Sequence, residues 1–560
     1  MSTASPGTDP GASPGWRVWL FVALLFSGIG STVYEPGLRG PLVSDDIMIL
    51  IQAPWMEDLT VDNVVEILDP RGRPVLSTAN WAPAHLLAHL VQQEFFGYYP
   101  NTYPYHLSNV LVHGINSTLL AALFVAHGVP LVAALLAGLV FLLHPANVEA
   151  VAWVFQLKTL LAFTFGIAAL LHLQRRPALS TLWFALAILA KPSAGAVLAA
   201  AIVFEGFRVV GPTGPPKRTR WLFAWGGLLV AYSVIEFAAF QGVGEFLDQR
   251  PISPFERVLG VVAIVGRYFS MTTLTYGLSV FHQPDPTRSV LDPWFLLGLV
   301  TLIGMAIVCV RALWLRHPAA GWLGLVAASY APVSQIFAFR FPLADRYLYF
   351  IIAGLLGALL VTYGRSIGAG FETLRARRLG AGPRALVGAG LAAVLVIGYG
   401  AHAYARAGIW RSEKSIDRDA IRHYPNGVAG QLDRARRAVA AGRPEEAVDA
   451  LEALVLQGSD NPIVYLSDEA LKPLRGNPRY EELLKGIARR WLDKFDELEN
   501  KAPGFGVIDA VLYSILVGDL ERAERYLDDA ARTPDVIDPQ MVEQLRESLQ
   551  REREALEAAG

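Results

Sequence analysis

The hydrophobic positions of the chain fall into two regimes that meet near residue 405. Before that point, apolar residues run in windows close to the length that crosses the hydrocarbon layer of a bilayer as a helix. The windows lie near 17–34, 107–126, 129–143, 159–174, 178–191, 193–208, 221–240, 294–312, 318–337, 346–363 and 385–404. Window 257–277 is ambiguous. With about eleven crossings it must return to the side it left, as a re-entrant or interfacial helix. The pattern predicts an all-α protein: a polytopic membrane domain over 16–410 and a charged helical domain over 411–560. The small, polar residues 1–15 read as a disordered tail. They lack a basic n-region, so the first span is expected to stay as an uncleaved anchor.

Composition agrees with this division. The 560 residues are 53% hydrophobic and 18% charged, and mean hydropathy is +0.36. That is too apolar for a soluble chain of this length. The net charge of −2 averages two unlike parts, since 413–560 carries 30 acids against 21 bases. Cys309 is the single cysteine, so disulfides and cysteine-based metal sites are excluded. Nothing in the charge pattern calls for nucleic acid.

Basic residues set the orientation. Arg175 and Arg176, then Arg208, Lys217, Arg218 and Arg220, then Arg311 and Arg316, then Arg365, Arg375, Arg377, Arg378 and Arg384 all fall on one side if the N-terminus is cytoplasmic. The C-terminal domain is then outside, which in a bacterial inner membrane means periplasmic. The outer loops collect the unusual residues. The first, about 35–106, holds the acid pair Asp45-Asp46, a placement that suits a membrane enzyme using a lipid-carried substrate. Its Trp55, Trp81, Tyr98, Tyr99 and Tyr103 read as interfacial anchors. The second runs from His144 through Glu149 to Lys158. Lys191 and the stretch Arg340 to Arg346 complete the set. Topology does not explain an outward Lys or Arg at membrane depth, which singles out Lys158, Lys191 and Arg346. His106, Asn109 and His113 share one helix face. A polar stripe between helices is the favoured reading of that face over a metal site.

In the C-terminal domain, Gly442-Arg443-Pro444-Glu445-Glu446-Ala447 is echoed by Gly518-Asp519-Leu520-Glu521-Arg522-Ala523. A turn glycine followed by a small packing alanine is the grammar of tetratricopeptide repeats. Asp468 to Ile487 resembles the capping segment at the end of such arrays. Short arrays of this kind bind a polypeptide or dock on their own membrane domain. A generic charged helical domain is the alternative.

Several motifs together resemble one family. They are Ser44-Asp45-Asp46, Tyr105 to His113 (YHLSNVLVH), His144 to Trp153 (HPANVEAVAW) with Lys158, Ala190-Lys191-Pro192, Ala344 to Tyr349 (ADRYLY), and Trp410 with Tyr424-Pro425-Asn426. In this order they are similar to the membrane O-mannosyltransferase-like proteins with C-terminal tetratricopeptide repeats, which are GT-C glycosyltransferases. The resemblance covers roughly 40–430. One departure is that Asn80-Trp81-Ala82-Pro83 lacks the basic residue the family carries there. The resemblance implies a GT-C fold and transfer of a sugar, mannose in the family, from a polyprenyl-phosphate donor to Ser/Thr hydroxyls of an exported protein. The repeat domain would meet the acceptor polypeptide. Asp45 or Asp46 would be the base that takes the acceptor proton. Arg346, with Lys191, Lys158 and Arg340, would neutralise the leaving lipid phosphate. Asp345 would orient Arg346, and His144 with Glu149 would position the second loop. Arg267 is a weaker candidate. No metal is demanded, because side chains alone can neutralise a lipid monophosphate. Three other readings stay open: a GT-C enzyme acting on a glycan or lipid, a non-catalytic scaffold carrying an interaction module, and a transporter.

Overall fold

The computed structural model describes residues 14–78, 80–97, 100–208, 217–240, 253–336, 341–376, 383–457, 462–497, 506–532 and 539–559. Most of the expected tail, Tyr98, Tyr99 and the candidate Arg340 lie outside the described residues. Among the described residues every regular element is a helix.

The membrane region contains α1 (Trp16–Val33), then α2 (Val61–Leu68), α3 (Arg73–Thr78) and α4 (Pro83–Phe96) in the long first loop, and α5 (Tyr103–Ala126). There follow α6 (Leu131–Leu143), the short α7 (Val148–Ala152), α8 (Leu157–His172), α9 (Pro177–Ala190), α10 (Ala196–Phe207), α11 (Thr219–Phe240) and α12 (Pro254–Thr273). The region ends with α13 (Pro293–Trp314), α14 (Ala319–Tyr330), α15 (Leu348–Ala376) and α16 (Pro383–Ala407). Among the described residues, seven spans are long and apolar enough to cross a bilayer: α1, α5, Val154–His172, Thr219–Ala239, α13, Asp345–Ala369 and Val387–Arg411. They mark a multi-pass membrane protein. An eighth, α6 followed by Pro145–Ala152, is bent by 53° at His144. The other three expected windows fall on shorter apolar helices, Pro177–Ala190, Pro192–Phe207 and Ala319–Val333.

The ambiguous window is one unbroken helix, α12. Ser253 and Glu256 cap its start reciprocally. It packs closely along α13, where the Gly266 and Gly298 backbones meet with no room for side chains.

Helix α5 is the hub of the core and packs on α1, α6 and α8. Its polar stripe braces neighbouring segments. His106 Nδ1 lies 2.9 Å from the Ala152 carbonyl and its Nε2 lies 3.2 Å from that of Gly40. The Asn109 amide donates to Val151, Trp153 and Val154 carbonyls at 3.1–3.2 Å. His113 lies 2.7 Å from the Tyr349 hydroxyl and 3.1 Å from the Leu142 carbonyl. These bonds tie the 144–156 loop and α15 to α5. They satisfy backbone carbonyls freed where the chain leaves regular helix.

The long loop between α1 and α5 is a folded layer with its own core of Leu42, Ile49, Leu50, Trp55, Met56, Ile67, Leu86 and Leu90, closed by Val154 and Phe155 of the loop after α6. Trp55 is only 1% exposed, so it fills this core and is not the interfacial anchor its residue type suggested. Trp81 stacks on Tyr232 at 5.7 Å, and its backbone N–H donates to Glu236 at 2.7 Å, which fastens the layer to α11. At the other end, a Cβ on Gly40 would sit 2.1 Å from the Trp410 carbonyl oxygen. Only glycine lets the first loop pass this close to the junction with the C-terminal domain.

That domain comprises α17 (Glu413–His423), α18 (Val428–Ala440), α19 (Pro444–Val455), α20 (Pro462–Leu466), α21 (Pro478–Glu497), α22 (Val507–Val517), α23 (Leu520–Ala531) and α24 (Pro539–Ala559). Helices α18/α19 and α22/α23 form two hairpins. Gly442 and Gly518 turn them with φ of 70° and 82°, and Ala447 and Ala523 are wholly buried. Helix α21 joins two small cores, with Leu484 and Ile487 in one and Ala488, Leu492 and Phe495 in the other.

Candidate active site

The acid pair follows a backbone bend. Ser44 has φ 54°, a left-handed conformation sparsely populated for a residue with a side chain. Such strain persists only where the surroundings hold it, and it concentrates at working sites. A single π-helical turn, Ile47–Ile51, comes next. Beyond the bend the two carboxylates have different surroundings.

Asp46 is wholly buried. Its Oδ2 accepts from the Val43 N–H at 3.0 Å and its Oδ1 from the Phe155 N–H at 2.7 Å. It therefore pins the long first loop to the 144–156 loop. Burial pushes its carboxyl up to about 8, against the pull of the two N–H donors, with Asp45 adding to the rise and Lys158 opposing it. Asp45 is half-buried and accepts one loose bond, at 3.3 Å from the Ser44 hydroxyl. It is also the strongest charge acting on Lys158, and it acts on Arg346. The structure thus separates the pair into an inward anchor, Asp46, and an open carboxylate, Asp45, that faces cations.

Three cations act on one another beside it. Lys158 begins α8, with Nζ 4.2 Å from the centre of the Phe155 ring, and has no ion-pair partner within 4 Å among the described residues. Lys191 caps α9, and its Nζ donates to Thr159 Oγ1 at 2.8 Å. Thr159 donates in turn to Gln156 Oε1 at 2.8 Å, so the residue after Lys158 orients Lys191. Lys158, Arg346 and Glu149 all act on Lys191 through their charges.

Arg346 is the most tightly built of the three. Its guanidinium pairs with Glu149, and Glu149 Oε2 accepts the Arg346 backbone N–H at 2.7 Å. The guanidinium carbon lies 5.0–5.4 Å from the ring centres of Trp153, Phe341 and Tyr347. This aromatic cage suits a cation removed from water. Glu149 is therefore the residue that holds Arg346 in place.

Asp345, the expected orienter of Arg346, has other partners. Its Oδ1 lies 2.7 Å from His282 Nε2 and its Oδ2 accepts from Arg406 at 3.2 Å. Arg406 also donates to Asp419 at 3.0 Å, and His282 Nδ1 lies 2.9 Å from the Tyr424 hydroxyl. This buried network fastens the turn before α15 to α16 and α17, where the C-terminal domain begins. His144 belongs to this side as well. Its Nδ1 accepts from the Ala146 N–H and its Nε2 donates to the Thr272 carbonyl at 3.1 Å, which braces the bend of the α6 span against α12.

Reading the sequence missed His282, Arg406 and Asp419, which no local pattern announces. It also passed over His85 and His89, whose spacing of four on one helix was visible. Among the described residues, no three His, Cys, Asp or Glu side chains group as a metal site would need. Comparison with family models, curated proteins and solved structures found no match to the chain.

Proposed function

We propose that the protein is a GT-C glycosyltransferase of a bacterial inner membrane that moves a sugar, mannose in the first instance, from polyprenyl phosphate to Ser/Thr hydroxyls of exported protein. The observation that carries this reading is one open carboxylate, Asp45, whose charge acts on Lys158 and Arg346, with Lys191 beside those two cations; of the three, only Arg346 has a close acid partner among the described residues. A base opposite an unneutralised cationic patch at the membrane boundary suits an anionic, lipid-carried donor and a hydroxyl acceptor.

The chemistry follows from those charges. The acceptor oxygen attacks the anomeric carbon while Asp45 takes its proton. The bond from that carbon to the phosphate oxygen breaks, and the lipid phosphate leaves with the electron pair. Its charge rises from one to two as it leaves, so fixed cations stabilise the transition state more than the bound donor. A single displacement inverts the anomeric centre.

In this reading about eleven helices cross the membrane, counting the bent and short ones, with the N-terminus cytoplasmic. The C-terminal hairpins form a degenerate tetratricopeptide-like module in the periplasm that presents the acceptor polypeptide. The test is transfer of radiolabelled sugar from a polyprenyl-phosphate donor in membranes containing the protein. Label in protein, released by β-elimination, is expected. Label confined to glycan or lipid would replace the acceptor, and no transfer from any such donor would sink the reading.

A further inference from the structure

Helix α4 carries His85 and His89, which the transfer chemistry above does not use. Both are 0% exposed. Their hydrogen bonds follow from a chain with only one consistent direction. The Ser108 hydroxyl donates to the Tyr105 carbonyl at 2.8 Å, so it accepts from the Gln92 amide nitrogen at 2.5 Å. The Gln92 carbonyl oxygen, which can only accept, then receives the His89 Nδ1 proton at 2.7 Å. His89 Nε2 is left as a bare lone pair, buried and without a partner. Neither ring nitrogen of His85 has a hydrogen bond. The Ala82 carbonyl one turn back approaches the ring but falls outside bonding geometry.

A buried polar atom without a partner costs more than it contributes, and native structures keep few of them. These lie next to the site. Phe155, with Lys158 against its ring and Asp46 on its N–H, has His85 edge-on at 5.2 Å and His89 parallel at 6.1 Å. Lys158 and Lys191 both act on His85. A metal ion is disfavoured beside those two ammonium groups. A phosphate is disfavoured as well, because its oxygens carry no proton to give to a bare lone pair. Burial holds both imidazoles neutral, with His89 pushed down to about 4 and His85 also lowered. A group that both donates and accepts satisfies two neutral imidazoles, and a sugar hydroxyl does so.

We propose that His85 and His89 form the subsite that reads hydroxyls of the transferred sugar. The proposal rests on the glycosyl-transfer reading and names the residues that select the sugar within it. Both rings are sealed from water, so occupancy requires the Phe155 or Lys158 side chain to swing aside. Hydrogen bonds from the sugar offset that shift.

The test uses His85→Phe and His89→Leu in the full-length protein, with polyprenyl-phosphate mannose and polyprenyl-phosphate glucose as probes. Thermal stability is expected to hold or rise in His85→Phe, where an unpartnered polar group is replaced by an apolar one, and to fall somewhat in His89→Leu, where buried Gln92 Oε1 loses its donor. The donor KM is expected to rise about tenfold for the preferred sugar, with kcat changed less. The kcat/KM ratio between the two epimeric donors is expected to collapse toward one. If wild type transfers sugar and both variants keep its epimer ratio, or if they lose stability with that ratio unchanged, the subsite is wrong and the glycosyl-transfer reading stands. If wild type transfers sugar from neither donor, both fall.

Discussion

Replacing Asp45 with Asn is expected to cut sugar transfer about 10²- to 10⁴-fold, the range for loss of a general base, with little effect on folding. Asp45 makes one loose bond and holds no element in place. Asp46→Asn is expected to behave oppositely and register first as instability. Asn offers one acceptor where Asp46 supplies two, so either Val43 or Phe155 loses its partner. An unmet buried N–H costs about 1–3 kcal/mol. The two variants also differ in pH response. Burial raises the Asp46 carboxyl to about 8, above its unfolded value near 4. Its contribution to stability is therefore full below about pH 4 and is lost as pH climbs through about 8. Asp46→Asn cannot ionise, so that part of the fall disappears, whereas Asp45→Asn keeps it. Thermal unfolding in detergent from pH 4 to 9, alongside transfer assays, separates the two roles. Equal transfer by wild type and Asp45→Asn would remove Asp45 from the chemistry.

Arg346→Ala is expected to carry two penalties. It leaves Glu149 buried without its counter-charge, which costs about 3–5 kcal/mol when one partner of a buried pair is removed. It also removes the cation held firmest against the leaving phosphate, worth about 10²–10³ in rate. A second substitution separates the penalties. Arg346→Met with Glu149→Gln removes both charges while Gln keeps an acceptor for the backbone N–H at 346. Stability is expected to recover most of its loss in that double variant, and transfer is expected to stay low. Recovery of both would make Arg346 purely structural.

The division into a membrane region and a polar helical domain was legible, because a bilayer admits few solutions and apolar length reports them directly. The windows near 178–191 and 193–208 were legible as short apolar helices, whereas 318–337 reads longer than the helix Ala319–Val333. Length there depends on where Pro332 breaks the ladder, and a hydropathy window blurs that. The long first loop was harder. Its helices are short, and its core forms only when Leu42, Ile49 and Trp55 meet Phe155 from a distant part of the chain. Trp55 therefore looked like a membrane anchor. Gly442 and Gly518 announced their turns because a left-handed turn selects glycine at the local level.

The site follows the same rule. Residue types at the outer boundary pointed to Asp45, Lys158, Lys191 and Arg346, since unpaired charge at membrane depth is rare enough to stand out. Pairings were not legible. Glu149 and Arg346 are 197 positions apart, and Asp345 binds Arg406 across 61. Proximity in sequence favoured Asp345 as the partner of Arg346, but in a tight turn neighbouring side chains diverge. The same divergence separates Asp45 from Asp46, and the burial and two N–H partners of Asp46 tell which of them turns inward.

The most direct test is a structure of the Asp45→Asn variant with a polyprenyl-phosphate sugar bound. The account predicts the phosphate against Lys158, Lys191 and Arg346, the lipid tail entering the bilayer, and the anomeric carbon turned toward residue 45. A donor phosphate lodged away from those three cations, or on the opposite face of the membrane, would contradict it.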